Sequence, residues 1–306
     1  MTWFLLAIVP PFLWSIVNHT DKYLLSRAHH KSSVEVLIVY STGFSLIVLP
    51  LVYWFARNDL FTNFYQVVIQ IVGGVLLSFS LYFYFKALFK DEASIVTPLF
   101  LLVPVFGYVL SHFFLAEALT GKQLFACILI MLGTLVLSLE FKEESGIRIR
   151  VGVLFLMIGC TFAQALQETL FKVTTIEQSF ATSLFWLHVG TLVFCAGLIM
   201  FKRWILKDFF EAVRINGPSM FSVNFFNETI SALAYGVRNY AILLAPIVVV
   251  MTLNGFQPAF VFILGTVLTL LFPKYVHEKI KPIHLAHKGI AVAIMVIGSI
   301  LIAQTL

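Results

Sequence analysis

The chain has 306 residues, of which 60% are hydrophobic and 11% are charged, and its mean hydropathy is +0.97. This composition leaves little surface for water and excludes an ordinary soluble domain. The net charge of +5 comes mostly from Lys and Arg in short loops between apolar stretches, so it does not indicate a nucleic-acid-binding protein.

Ten apolar stretches follow one another along the chain, each close to the length of about 20 residues that crosses a bilayer. In chain order, numbered span 1 to span 10, they cover residues 3–20, 34–56, 67–88, 94–115, 122–140, 151–171, 181–201, 218–243, 246–272 and 284–304. Span 1 has no basic segment before it and no clear cleavage site, so we interpret it as a retained helix rather than a signal peptide. The sequence predicts an all-α membrane protein with ten transmembrane helices and short polar loops, the longest at 21–33, 202–218 and 274–282.

The second five spans repeat the first five in motif and spacing. The matched positions, first half before second, are Trp14 and Gln164, Asn18 and Glu168, Lys22 and Lys172, Ala87 and Ala241, Pro104 and Pro258, Glu117 and Glu278, Ala126 and Ala291, and Gly133 and Gly298. An odd number of spans in each repeat turns the second copy upside down, and inverted repeats are a common plan of secondary transporters. We therefore expect two inverted five-helix repeats, residues 1–142 and 143–306, divided within the charged segment 140–150.

Polar residues in span 8 recur at three- and four-residue steps, which places them on one face of a helix. They are Asn224, Asn227, Glu228, Ser231, Tyr235 and Arg238. Ionisable groups inside a membrane are costly, so those present usually face a cavity or a partner. The stripe therefore predicts the wall of a substrate-binding cavity. The alternative is a structural stripe bonded to neighbouring helices.

Smaller polar groups lie in four other spans, and we predict that they complete the substrate-binding site. They are Trp14 and Asn18 in span 1, Gln164, Gln167 and Glu168 in span 6, His188 in span 7, and Asn254 and Gln257 in span 9. Lys172 lies one turn beyond Glu168, so a self-neutralising pair with a snorkelling lysine is the alternative to cavity lining. For His188 the alternative is a packing histidine that forms a hydrogen bond.

Other chemistry has little support in the sequence. There is no GxxxxGK[ST] loop, so ATP does not drive transport directly. HExxH, GxSxG and Asp/His clusters are also absent, which disfavours a membrane-embedded enzyme. The three cysteines lie in apolar stretches without metal-ligand spacing, and His284-x-x-His287 has no third ligand nearby. We expect no catalytic residue, no metal and no cofactor.

Residues 82–137 resemble a known family. An aromatic-rich helix leads into an Ala-Ser helix start, an internal proline, the sequence LAEALT and a glycine-containing helix. With Trp14 in span 1, this pattern is similar to the drug/metabolite transporter superfamily, and within it to the EamA-like ten-helix transporters. Two departures are Ala116, where the family usually has glycine before the glutamate, and a looser second half with HEKIKP in the matching place. The resemblance implies an all-helical carrier of small metabolites that works by alternating access, and it leaves the cargo open.

The residues and the resemblance together predict a secondary transporter for a small polar metabolite, amino-acid-like or similar. Coupling would use protons, ions or a counter-substrate. We expect a multi-pass protein of the cell (inner) membrane that contacts the lipid bilayer, acts as a monomer or homodimer and has no nucleic-acid partner. The alternative is a flippase for a lipid or a lipid-linked metabolite, which needs a lateral opening and a cavity with one apolar wall. A membrane-embedded enzyme is a further, less favoured alternative.

The charges and the resemblance disagree on orientation in the membrane. Sixteen of the 20 Lys and Arg residues lie in or beside the odd-numbered loops. Because cytoplasmic loops are rich in Lys and Arg, this count places both termini outside the cytoplasm. The resemblance implies the reverse, and we favour the charge count because it comes from this chain.

Overall fold

A computed structural model describes residues 2–27, 34–60, 63–90, 96–138, 151–271 and 282–305, and the regular secondary structure in those ranges is helical throughout. The α-helices are α1 (Thr2–Arg27), α2 (Val34–Gly43), α3 (Ser45–Ala56), α4 (Phe64–Leu88), α5 (Leu102–Leu115), α6 (Gly121–Ser138), α7 (Val151–Thr175), α8 (Phe180–Phe201), α9 (Trp204–Leu244), α10 (Ile247–Leu253), α11 (Gln257–Leu271) and α12 (Pro282–Ala303). Short 3-10 segments, Thr97–Leu101 and Asn254–Phe256, lie before α5 and before α11.

Seven helical segments in the described ranges are long and apolar enough to cross a membrane. They are Thr2–Asp21, Val34–Ala56, Phe64–Leu88, Pro98–Leu115, Val151–Thr175, Phe180–Phe201 and Ile247–Leu271. Two shorter apolar helices, Gly121–Leu137 and Lys288–Ala303, fall on spans 5 and 10, and α9 covers span 8. An all-helical chain with membrane-spanning segments is therefore confirmed, while ten crossings stay a prediction.

Two predicted loops are largely helical. Helix α1 continues to Arg27 instead of ending at residue 20, and α9 begins at Trp204, well before residue 218. The start of α9 is amphipathic: Ile205 is fully buried against α2 and α8, although charged residues follow it. A helix with one apolar face docks on its neighbours even where its mean hydropathy is low, so hydropathy alone misjudged these ends.

Matched small residues from the two halves meet where α6 crosses α12. A Cβ on Gly133 would lie 2.9 Å from the backbone oxygen of Ala291, and one on Gly298 would lie 3.0 Å from that of Ala126. Gly133 of α6 faces Ala291 of α12, and Ala126 faces Gly298, so the two helices run in opposite directions. Small residues of this kind let membrane helices approach closely.

The other helix contacts follow a regular scheme. Three of these contacts recur when each span is replaced by its counterpart in the other half. Helix α4 (span 3) packs on α7 (span 6), and α9 (span 8) packs on α1 (span 1). In the same way α4 packs on α8 and α9 on α2, while α5 packs on α7 and α11 on α1. The remaining large contacts, α6 with α12, α3 with α8 and α5 with α10, each join a span to its counterpart in the other half. The boundary predicted at 140–150 lies outside the described residues.

Gly190 gives a test of this packing. A Cβ there would overlap the backbone oxygen of Ile71 on α4, and backbone cannot move aside as a flexible side chain can. Gly190→Ala should therefore lower the free energy of unfolding by about 1–3 kcal/mol or more, measured by thermal unfolding of purified protein in detergent.

Gly197, on the same helix, is the matched control. A Cβ there meets no atom within 4 Å, so Gly197→Ala should leave stability unchanged or raise it slightly. Equal stability of the two variants would contradict the close approach of α4 and α8.

Candidate functional site

An ion pair joins α7 and α9 in the interior of the bundle. Arg238 Nη2 contacts Glu168 Oε1, and the two side chains are 3% and 2% exposed. Gln164, one turn before Glu168, donates from Nε2 to the same carboxylate oxygen at 3.3 Å. Charges withdrawn this far from water persist only when they are paired and hydrogen-bonded.

Aromatic rings cover the arginine. The Arg238 guanidinium lies 5.3 Å from the centre of the Trp14 ring, and the rings of Trp14 and Tyr235 meet edge to face at 5.1 Å. Arg238 Nε and Glu168 Oε2 have no hydrogen-bond partner among the described residues. These four residues, with Gln164, form the central cluster.

A second group of polar side chains lies further back along α9. Asn227 Nδ2 donates to Asp21 Oδ1 of α1 at 2.6 Å, and Ser41 Oγ of α2 donates to Glu228 Oε1 at 2.7 Å. The two carboxylates are close enough to interact electrostatically. Asp21, Ser41, Asn227 and Glu228 form what we call the acidic cluster.

A third group closes the end of the bundle where α5, α7 and α9 finish. Lys172 Nζ lies 2.6 Å from Glu117 Oε1 and donates to the backbone oxygen of Ala245 at 2.7 Å. The backbone N–H of Ile247 donates to the other Glu117 oxygen at 3.0 Å. We call these four residues the end network, and it ties the first half of the chain to the second.

The end network rules out the Glu168–Lys172 pair that the sequence offered as an alternative to cavity lining. The partner of Lys172 is Glu117 rather than Glu168, because Arg238 occupies Glu168 from the neighbouring helix. Ala116, just before Glu117, has a left-handed backbone with φ 52°, which costs less for glycine. This conformation explains why the family usually has glycine there. Glu278, the counterpart of Glu117, lies outside the described residues, as does the side chain of Lys22.

Helix α9 links the three groups in order, from the acidic cluster through the central cluster to the end network. From Asn227 to Ala245 it rises about 27 Å, close to the thickness of the hydrocarbon core of a bilayer, about 30 Å. Together the three groups form a polar track along the bundle.

The remaining predicted residues have other surroundings. His188 is hydrogen-bonded to Ser45 at 2.9 Å between α3 and α8, the packing role stated as its alternative. Gln167 is buried against α4, and Asn254 lies in the 3-10 segment with a buried amide oxygen that has no described partner. Half-buried positions are held by Asn18 on α1, Asn224 on α9 and Gln257 at the start of α11.

Two members of the acidic cluster were not predicted. Asp21 follows Asn18 by three residues and Trp14 by seven, so helical spacing already placed it on their face. The sequence places it at the start of the predicted loop 21–33, because the predicted span 1 ends at residue 20 and α1 continues to Arg27. Ser41 has no comparable signal, since a lone serine is common in membrane helices.

An apolar groove of about 640 Å³ lies between α1, α9 and α11, away from the central cluster. Its lining includes Ile16, Phe226 and Leu264, and His19 at its wall is hydrogen-bonded to the backbone oxygen of Val261 at 3.0 Å. Such a lining suits lipid chains rather than a polar metabolite.

Metal ligands do not gather within the part of the chain that the structure describes. No group of three or more His, Cys, Asp or Glu side chains there could hold an ion. Cys127, Cys160 and Cys195 are free thiols, and all three are buried.

Comparison with known proteins agrees with a membrane carrier. Residues 1–139 match the EamA-like transporter family. An uncharacterized protein of Methanocaldococcus jannaschii is 31% identical over 104 residues, which cover 34% of this chain and 74% of that protein. The chain belongs to the EamA-like transporter family, as the resemblance in the sequence predicted.

Two relatives with a named activity are uptake transporters. An S-adenosylmethionine uptake transporter of Rickettsia prowazekii is 24% identical over 68% of this chain, and that of Rickettsia felis is equally similar. The chain spans 66% of the length of each of these relatives. A protein of known crystal structure superposes with a TM-score of 0.69 at 15% identity, over 98% of this chain and 95% of the other, which shows the fold alone.

The Glu168–Arg238 pair makes a prediction about stability. Removing one partner leaves the other charge buried and alone, so Glu168→Gln should cost about 3–5 kcal/mol of unfolding free energy. The double variant Glu168→Gln/Arg238→Gln should cost clearly less than the sum of the two single changes. Chemical denaturation in detergent measures all three.

The control is Glu35→Gln. Glu35 and Lys202 pair at 2.7 Å, but the lysine side chain is 39% exposed, so the loss should stay under about 1 kcal/mol. Additive effects at Glu168 and Arg238, no larger than that of the control, would contradict a buried ion pair.

Proposed function

We propose that this protein is a secondary transporter that moves a small polar metabolite across the membrane by alternating access. The polar track carries this proposal. Ionisable side chains inside membrane helices mark substrate or ion pathways, and the track extends for about the thickness of the hydrocarbon core. The chain has no ATP-binding loop, so protons, another ion or a counter-substrate would supply the driving force.

The proposed architecture is ten transmembrane helices in two inverted five-helix repeats. Three observations support it. Exchanging each span for its counterpart five places along reproduces the scheme of helix contacts, and α6 crosses α12 through matched small residues. The 3-10 segments before α5 and α11 also fall in matching spans, 4 and 9. Repeats of this kind place the cargo at their interface near the bilayer midplane.

S-adenosylmethionine is the first cargo to test, because relatives carry its name. It combines an amino-acid group, a sulfonium and an adenine. In our proposal the planar fork of Arg238 exchanges its contact with Glu168 for a contact with the cargo's carboxylate. The faces of Trp14 and Tyr235 suit a flat aromatic base.

The end network acts in this proposal as a gate. Glu117 holds Lys172 on α7 and the start of α10 at one end of the polar track. Cargo can leave at that end only when these contacts separate. The opposite end of the track, at the acidic cluster, would open and close in alternation with it.

A lipid flippase is the second candidate, and the apolar groove between α1, α9 and α11 favours it. The groove supplies an apolar wall, but its described lining lacks the charged side chains that would bind a head group. The polar track fits a water-soluble cargo better. A fluorescent-lipid scrambling assay in the same liposomes separates the two functions.

The proposal predicts that wild-type protein in liposomes takes up radiolabelled S-adenosylmethionine, and faster when unlabelled compound is inside. Asn227→Leu should slow uptake by roughly tenfold or more, because it removes a buried hydrogen bond to the Asp21 carboxylate.

Leu233→Ala is the control on the same helix. Leu233 is 57% exposed on the outer surface of the bundle, so its truncation should leave uptake near the wild-type rate. Equal rates for Asn227→Leu and Leu233→Ala would place the path elsewhere. Lipid scrambling without metabolite uptake would support the flippase instead.

A further inference from the structure

The acidic cluster brings two carboxylates together without a cationic side chain among the described residues. Among the described residues, neither Asp21 nor Glu228 forms an ion pair, and their polar contacts are the Asn227 amide and the Ser41 hydroxyl. Both side chains are half-buried, and the two interact electrostatically. Two like charges side by side at low dielectric are unfavourable unless a cation or a bound proton offsets one of them.

A buried amide oxygen beside the carboxylates also lacks a partner. Asn227 is 4% exposed, and its Oδ1 accepts no hydrogen bond from a described residue. Its Nδ2 holds Asp21, so the oxygen of the same planar amide lies beside that carboxylate. Leaving such an atom unsatisfied is costly, and a positively charged ligand would satisfy it.

Two tyrosine side chains lie near the acidic cluster. Tyr40 lies close enough to Glu228, and Tyr84 to Asp21, to interact electrostatically. Carboxylates together with aromatic rings are the surroundings that organic cations prefer, because the ring faces attract positive charge without hydrogen bonds. A small inorganic cation would instead need a shell of about six oxygen atoms.

We propose that Asp21, Asn227 and Glu228 form a subsite for an organic cation of the sulfonium type, distinct from the Arg238 end of the polar track. This inference rests on the proposed transport function and adds the charge of the cargo to it. The subsite would bind the positive charge as the cargo enters the polar track. Arg238 lies ten residues, about 15 Å, further along α9, so it would bind the carboxylate only after the cargo has moved to the central cluster. Selection for a positive charge then follows from Asp21 and Glu228.

Two natural compounds that differ at the sulfur atom test the effect of the positive charge there. S-adenosylmethionine has a positive sulfonium, whereas S-adenosylhomocysteine is the neutral thioether that lacks one methyl group. The variants Asp21→Asn and Glu228→Gln keep the size of each side chain and can still accept the hydrogen bonds from Asn227 and Ser41. Size-exclusion chromatography and thermal unfolding without ligand check that they fold. Glu35→Gln, in an ion pair outside the cluster, is the control.

Equilibrium dialysis measures the affinity of each purified protein for each of the two compounds. Wild-type protein and Glu35→Gln should prefer S-adenosylmethionine. Asp21→Asn and Glu228→Gln should lose roughly tenfold or more in affinity for it, while affinity for S-adenosylhomocysteine changes less than about twofold. Equal losses for both compounds, or an unchanged preference for the charged one, would overturn the subsite.

A third probe, the trimethylsulfonium ion, separates this proposal from the identity of the cargo. It should raise the unfolding temperature of wild-type protein but not of Asp21→Asn or Glu228→Gln. If neither adenosyl compound binds, S-adenosylmethionine is not the cargo. The trimethylsulfonium result still decides whether the subsite exists. Sodium chloride is tested in the same way, with N-methylglucamine chloride as the reference salt. If sodium raises the unfolding temperature and trimethylsulfonium does not, Asp21 and Glu228 bind an inorganic cation and the proposal is overturned.

Discussion

Glu168 and Arg238 form an ion pair inside a bundle whose outer surface is apolar, and this pair constrains the helices around it. An isolated charge at that depth would cost several kcal/mol, so α7 and α9 must stay in register for the two side chains to meet. Trp14 on α1 covers the guanidinium, which brings a third helix into the same arrangement. A charged centre of this kind is costly as a structural device alone, which is why we interpret it as part of a transport path.

Close helix packing permits the rest of the architecture. Glycine and alanine at the α6–α12 crossing and glycine at the α4–α8 crossing let backbones touch, so the bundle can bury polar side chains without large voids. The end network then joins the two halves at one end through Glu117, while the acidic cluster lies toward the other. One charge-linked end and polar groups along the length of the bundle are the features on which we base the proposal of alternating access.

Much of this could be predicted from residue spacing, and the errors have physical causes. Three- and four-residue steps in span 8 correctly grouped Asn227, Glu228 and Arg238 on one helix face. Spacing within a helix cannot tell which other helix that face meets. The sequence therefore predicts neither the partner of Arg238 nor that of Lys172, for which the nearby Glu168 is only an alternative. Hydropathy ended α1 and began α9 at the wrong residues, because amphipathic helix ends are too polar for a hydropathy criterion.

The central claim is that the end network opens during transport, and one distance across it can test this. Ala118, beside Glu117, and Leu244, at the end of α9, are both exposed, and the three native cysteines are buried, so spin labels can be attached at these two positions. Pulsed electron resonance in liposomes should give one short distance for the resting protein. A second, longer distance should grow when S-adenosylmethionine is added, and should be present without it in the Glu117→Gln variant. A single distance that neither cargo nor Glu117→Gln changes, in protein that still transports, would contradict the account.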